Sequence, residues 1–223
     1  MAADREAELR ARFAVREETF AHGGWRVDVV LPRAADELID PDDFDRDERL
    51  PYWADLWPSA RALARHLREV EYEAAGGALE LGCGVALPSL ALRSRGVDVL
   101  ATDWYADALR FAEVNAARNG LGPLRTALLD WRDPPRGWRY PLVIAADVLY
   151  EQRNAEALAA LLPRVTAPGG TVLVADPGRI YARGFFNEMA MAGWTVPEVD
   201  ARDEPSAPSA HSRVRIHRLR RTV

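Results

Sequence analysis

The chain has 223 residues, a net charge of −5 and one cysteine, with 48% hydrophobic and 28% charged residues. That suits one globular domain and excludes whole-chain disorder and an intramolecular disulfide framework. No apolar run reaches the ~18 residues of a membrane span, and the first residues lack an apolar signal core, so a cytoplasmic protein with no membrane partner is expected.

In chain order, residues 4–20 read as a polar helix with apolar positions at Leu9, Phe13 and Phe20. Residues 25–31 (WRVDVVL) alternate like a strand that Pro32 ends. Residues 36–48 hold eight acids against one arginine, which predicts a solvated loop or a surface for a cationic partner. A helix follows over 59–75, with Ser59 as its expected N-cap after Pro58 and with Leu63, Leu67 and Val70 at helical spacing.

From Gly76 short apolar runs alternate with helical segments. Strands are predicted at 78–83, 97–103, 125–131, 141–150 and 170–176, with a further short one at 194–199. Helices are predicted at about 87–95, 106–119, 154–166 and 181–192. Residues 213–219 (RVRIHRL) read as a late strand. Apolar strands alternating with helices imply a mostly parallel sheet covered on both faces by right-handed crossovers.

Glu80-Leu81-Gly82-Cys83-Gly84-Val85-Ala86 ends the first of these strands and opens a helix. Glycines let backbone approach a ligand closely, and the helix start offers unpaired N–H groups. The dinucleotide pattern G-x-G-x-x-G would need glycine at 87, where Leu87 stands. The pattern E-x-G-x-G-x-(G/A) instead resembles motif I of class I S-adenosylmethionine (SAM)-dependent methyltransferases. Ala86 replaces the last glycine, and a slightly altered loop is expected because alanine resists positive φ.

Acids at the next strand ends fit that resemblance. Asp103 can accept from two ribose hydroxyls, with helix capping as the plain alternative. Trp104 can lie on an adenine face or simply pack. Asp130 can accept the adenine amino group or stabilise a turn, and the Trp131 backbone N–H can reach a ring nitrogen. Ligands bind at the carboxyl ends of strands in open α/β sheets. Glu80, Gly82, Gly84 and Ala146 complete the expected cofactor lining.

Three further segments narrow the resemblance: Pro51-Tyr52-Trp53-Ala54-Asp55-Leu56-Trp57-Pro58-Ser59, Asp147-Val148-Leu149-Tyr150 and Asp176-Pro177-Gly178-Arg179. Together they resemble the seven-β-strand protein-lysine methyltransferases, in the branch of the electron-transfer-flavoprotein β-subunit lysine methyltransferase. The resemblance implies a Rossmann-like α/β fold with a mostly parallel seven-stranded sheet, a methyltransferase domain over 59–223, and residues 1–58 as an N-terminal cap. It implies that Trp57 lies against the methionine end of SAM, its indole N–H available to the cofactor carboxylate. It also implies that Asp147 and Tyr150 stand beside the acceptor nitrogen as the catalytic pair, and that Asp176 and Arg179 border the substrate.

SAM is then the cofactor, the partner is a protein presenting a lysine, and no metal takes part. The four histidines (His22, His66, His211, His217) lack metal-ligand spacing. A monomer is expected, without stable nucleic-acid binding at this net charge. A same-fold enzyme acting on a small-molecule amine or RNA, and a SAM-binding protein without catalysis, are the rival expectations. All 29 basic residues are arginine. That reflects base composition, or an enzyme that avoids modifying itself.

Overall fold

The computed structural model describes residues 2–38, 50–207 and 210–221. Helix α1 (Ala2–Arg12) leads into an antiparallel hairpin of β1 (Val15–His22) and β2 (Trp25–Pro32). The helix expected over 4–20 therefore breaks at residue 13. VREETFAH pairs with β2 along its whole length, with Arg16, Glu18, Phe20 and His22 on its more buried face and Glu17, Thr19 and Ala21 on the exposed one. Apart from one 3-10 turn at Asp36–Leu38 and Leu50, the acidic stretch and its flank lie outside the described residues.

Helix α2 (Pro58–Glu69) starts one residue before the predicted position. Trp57 is its N-cap and Pro58 its first residue, where a fixed φ and a missing N–H cost nothing. Ser59, the expected cap, is free for another role.

The rest builds a single sheet: β3 (Ala78–Leu81), α3 (Leu87–Arg93), β4 (Val99–Asp103), α4 (Ala106–Arg118), β5 (Arg125–Leu128), β6 (Tyr140–Ala146), α5 (Gln152–Val165), β7 (Thr166–Asp176), α6 (Ala182–Met191), β8 (Trp194–Thr195), β9 (Glu198–Ala207) and β10 (Ala210–Arg221). The order is β5-β4-β3-β6-β7-β10-β8, with β9 also on β10. Strands β3 to β7 run parallel, and β10 lies antiparallel to its neighbours. The sheet thus has eight strands where seven were expected. The short strand expected at 194–199 is divided at Val196–Pro197 and continued to Ala207, so β8 and β9 pair with successive stretches of β10.

Inner strands feed both faces by alternation. Ala78, Ala101, Ile144 and Leu173 join a core with α2, α3, α4 and the hairpin. Leu79, Leu81, Val143 and Val172 join a second core with α5 and α6. The chain winds from β3 outward to β5, then returns to β6 and winds the other way. The β3/β6 boundary is a topological switch point, where a crevice opens outside the carboxyl ends of the strands. Among the described residues no helix is long and apolar enough to cross a membrane.

Candidate active site

A cavity occupies that crevice. Its lining draws on the loops after β3, β4, β5 and β6 and on residues 50–57. Of the expected residues, Trp57, Glu80, Gly82, Gly84, Asp103, Trp104, Asp130, Trp131, Ala146, Asp147 and Tyr150 all line it. Asp176 and Arg179 do not, and Arg179 meets its wall at Asp147 and at the Trp57 ring.

The loop after β3 is shaped by three left-handed residues: Gly82 at φ 66°, Gly84 at φ 51° and Ala86 at φ 67°. Ala86 was expected to resist this conformation, yet it adopts it and caps α3. The cost is ~1–2 kcal/mol for a residue with a Cβ. At Gly84 a Cβ would stand 3.0 Å from the Trp53 carbonyl oxygen. The loop and the 50–57 segment therefore touch backbone to backbone.

Glu80 faces away from bulk water. Its Oε2 accepts the Ser89 N–H at 3.0 Å and the Ser89 hydroxyl in a short bond. It thereby ties β3 to the first turn of α3, where a carboxyl also suits the helix dipole. Burial pushes its pKa up from 4.5 to about 8, against the two Ser89 bonds that lower it. Cys83 is buried and its thiol pKa is raised by the same desolvation, so it stays protonated and unreactive.

Asp103, at the end of β4, is buried. Its Oδ2 accepts the Gly84 N–H at 2.9 Å and its Oδ1 the Tyr105 N–H at 3.0 Å. The N-cap of α4 is Tyr105, without a side-chain cap, so Asp103 turns the chain ahead of the helix rather than capping it. Trp104 is 37% exposed and lies under the Arg132 guanidinium, 5.4 Å from the ring centre. Asp130 holds that same arginine through Arg132 Nε at 2.8 Å and Nη2 at 2.8 Å. The sequence reading missed Arg132, which joins Asp130 and Trp104 at one end of the cavity.

At the other end stand the aromatic rings. Tyr52 meets Tyr150 edge-on at 5.0 Å between centroids and Trp57 at 6.1 Å. The Trp57 indole N–H, expected to face the cofactor, donates to the Tyr52 carbonyl at 2.6 Å instead. Trp57 offers the cavity its ring, and its N–H fixes the turn before α2.

Asp147 follows β6 at φ 59°, a left-handed conformation in a non-glycine residue. Its backbone N–H donates to Ala175 O at 2.9 Å. Its buried carboxylate accepts the Ser59 hydroxyl at 3.0 Å on Oδ2 and Arg179 Nε at 2.7 Å on Oδ1. Ser59 was read as a helix cap; no sequence signal linked it to a residue 88 positions away. Asp176 forms a turn, its Oδ1 accepting the N–H groups of Gly178 and Arg179 at 2.7 and 2.8 Å. Burial raises its pKa, with nearby Asp147 adding to the rise and the turn N–H groups opposing it.

Asn115, in α4, is a second residue missed from sequence. Its amide pairs with the edge of β2, accepting from Val30 N at 2.8 Å and donating to Val30 O at 3.0 Å. It also donates to Val85 O at 3.2 Å. One buried amide thus joins the hairpin to the glycine loop.

Known proteins share this architecture. A glycopeptide N-methyltransferase solved with sinefungin aligns at a TM-score of 0.55 and 14% identity, covering 77% of this chain and 96% of that one. A TehB-like SAM-dependent methyltransferase from Corynebacterium glutamicum aligns at 0.53 and 16% identity, covering 81% and 94%. At such identities the likeness is one of fold. The electron transfer flavoprotein beta subunit lysine methyltransferase of Danio rerio is 35% identical over 133 residues, 58% of this chain. The match spans about half of that relative's length, 51%. A family model described as lysine methyltransferase matches residues 48–191, well over half of the chain. The matched span contains the glycine loop, the strand-end acids, the aromatic wall and Asp147, and by it this protein belongs to the lysine methyltransferase family, class I methyltransferases whose cofactor is S-adenosylmethionine.

Proposed function

We propose that the protein methylates lysine side chains of another protein in the cytoplasm. The observation that carries this reading is the buried Asp147 carboxylate, set beside an aromatic wall in the cavity that Asp103 and Asp130 also enter. A cation-binding carboxylate next to a nucleoside-binding crevice suits an amine acceptor.

When bound, SAM supplies a methyl group already activated on a sulfonium, so positioning is the main task left to the protein. Asp103 takes the ribose hydroxyls, and Asp130 with the Trp131 N–H takes the adenine edge against Trp104. Gly82, Gly84 and Ala146 leave room for the cofactor at the strand ends, and Glu80 holds the loop. Trp57 contributes its ring to the methionine end. Asp147 and Tyr150 orient the amine, with Asp176 and Arg179 behind them on the substrate side.

An ammonium has no lone pair, and the lysine reference pKa is ~10.4. Burial favours the neutral amine, while the Asp147 carboxylate holds the charged form. Asp147 is thus a binding and orienting group, and the proton leaves to water.

Residues 1–58 act as a cap in this reading. Helix α1 and β2 lie on α4, and residues 50–57 line the cavity. The buried free thiol of Cys83 is compatible with a reducing compartment.

The test is methyl-labelled SAM in a cell extract with the wild type and Asp147→Ala. A labelled, protease-sensitive product that the variant fails to make supports the reading. The chain contains no lysine, so label on lysine belongs to another protein. Label removed by nuclease, or confined to small molecules, would reassign the acceptor to RNA or a small amine. SAM binding without any transfer would make the protein a non-catalytic binder.

A further inference from the structure

Arg179 follows a turn whose backbone is fixed by Asp176. Its side chain reaches back to the end of β6. There Nε donates to Asp147 Oδ1 at 2.7 Å, and the guanidinium carbon lies 5.3 Å from the centre of the Trp57 ring. The Asp147 side chain is 2% exposed and that of Arg179 is 34% exposed. A cation is therefore held by a buried carboxylate and an aromatic face, while its own side chain keeps a way out to solvent. This is the carboxylate that the lysine reading assigns to the acceptor amine.

We propose that Arg179 is an internal stand-in for the acceptor ammonium, occupying the Asp147–Trp57 cation site until an incoming lysine displaces it. The proposal rests on Asp147 being the residue that orients the amine.

The exchange has a physical reason. A buried carboxylate left without a cation is costly, whereas swapping one cation for another leaves the local charge unchanged. Arg179 spares Asp147 that cost while no substrate is present. A neutral side chain has no charge to offer in return. It would leave Asp147 unpaired beside Asp176, whose Oδ2 is itself buried without a hydrogen-bond partner among the described residues. Displacement thus selects for a cationic side chain, and the aromatic face of Trp57 suits either cation.

The experiment uses the full chain loaded with S-adenosylhomocysteine. Nα-acetyl-lysine-N-methylamide and its norleucine counterpart are titrated calorimetrically into wild type, Arg179→Met and Arg179→Ala. The Arg179 Nε–Hε resonance of the wild type is followed by NMR in the same titrations. If the stand-in fills the site most of the time, its removal tightens lysine-probe binding by roughly three- to tenfold. The norleucine probe gains nothing, and the wild-type resonance shifts as the lysine probe saturates.

Equal or weaker lysine-probe binding by the variants overturns the proposal, as does an equal gain for norleucine. If the variants fail to fold, the wild-type resonance decides, and one that stays in place at saturation overturns it. A probe that binds wild type without moving Arg179 removes the stand-in role alone. A probe that binds none of the proteins, with the nucleoside still bound, removes the amine reading as well.

Discussion

Asp103 and Gly84 are joined across the carboxyl ends of two neighbouring strands, Oδ2 of the acid accepting the glycine N–H at 2.9 Å. The bond couples two features that read as separate in the sequence, the glycine loop and the strand-end acid. It places a buried carboxylate in the cavity with its orientation already set, because the Tyr105 N–H holds the other oxygen at 3.0 Å. A site fixed before the ligand arrives pays less ordering entropy on binding.

Asp103→Asn tests that carboxylate. An amide keeps one acceptor oxygen but turns the other position into a donor, facing either the Gly84 N–H or the Tyr105 N–H. Charge-assisted bonds contribute about 1.5–3 kcal/mol each, so SAM affinity should fall by at least about tenfold. Titration calorimetry reads this directly. Unchanged affinity would mean that the nucleoside does not meet β4 at this position.

Glu80→Gln should change how stability depends on pH. The carboxyl pKa is raised from 4.5 to about 8. Between those values the folded state binds more protons than the unfolded one, so this group makes stability fall as pH rises. Glutamine keeps an oxygen for Ser89 and has no charge to bury. Thermal melts at pH 5 and pH 8.5 should show the wild type losing more stability than the variant over that interval. Parallel curves would mean that Glu80 is not the titrating group.

Much of this site is legible in sequence because β3, β4 and β6 are buried on both faces and therefore appear as short apolar runs. The ends of such runs place Glu80, Asp103 and Asp147 without knowledge of any contact. Asp130 was equally visible, although β5 stops at Leu128 and leaves it in a turn. Half-exposed strands are harder. Val15–His22 carries Leu9-Phe13-Phe20 helical spacing into a strand, and Glu198–Ala207 has the acids and proline of a loop. In the fold, Asp200 of β9 bonds buried His66 at 2.9 Å, and Asp203 pairs with Arg213 of β10. Long-range partners leave no local pattern at all. That is why Ser59 read as a cap, whereas the Trp57 N–H, read as a ligand donor, is taken by a backbone carbonyl only five residues back, a contact set by the turn before α2.

Gly84→Ala probes the contact between the loop and residues 50–57. The new Cβ would meet the Trp53 carbonyl oxygen at 3.0 Å, and φ is +51°. Gly137→Ala is the control, since Gly137 has φ +84° with nothing within 4 Å. Both variants pay the left-handed cost of ~1–2 kcal/mol; only the first also displaces Trp53. Chemical denaturation should show Gly84→Ala to be the less stable of the two. Only Gly84→Ala should also bind SAM more weakly. Equal losses of stability and affinity would show that Trp53 yields freely.

Ser59→Ala isolates the support of Asp147 from the carboxylate itself. The Ser59 hydroxyl is fully buried and donates to Oδ2 at 3.0 Å, while Arg179 holds Oδ1. Alanine suits the second position of a helix, so the helix itself should be unharmed. The oxygen left behind loses a donor in a buried place, which costs about 1–3 kcal/mol. The stability loss should appear in denaturant melts of the free protein. SAM affinity, set at β4 and β5, should stay near that of the wild type, while methyl transfer slows because the carboxylate can turn. A loss of SAM affinity as large as that of Asp103→Asn would instead place Ser59 in the cofactor's support and detach it from the acceptor side.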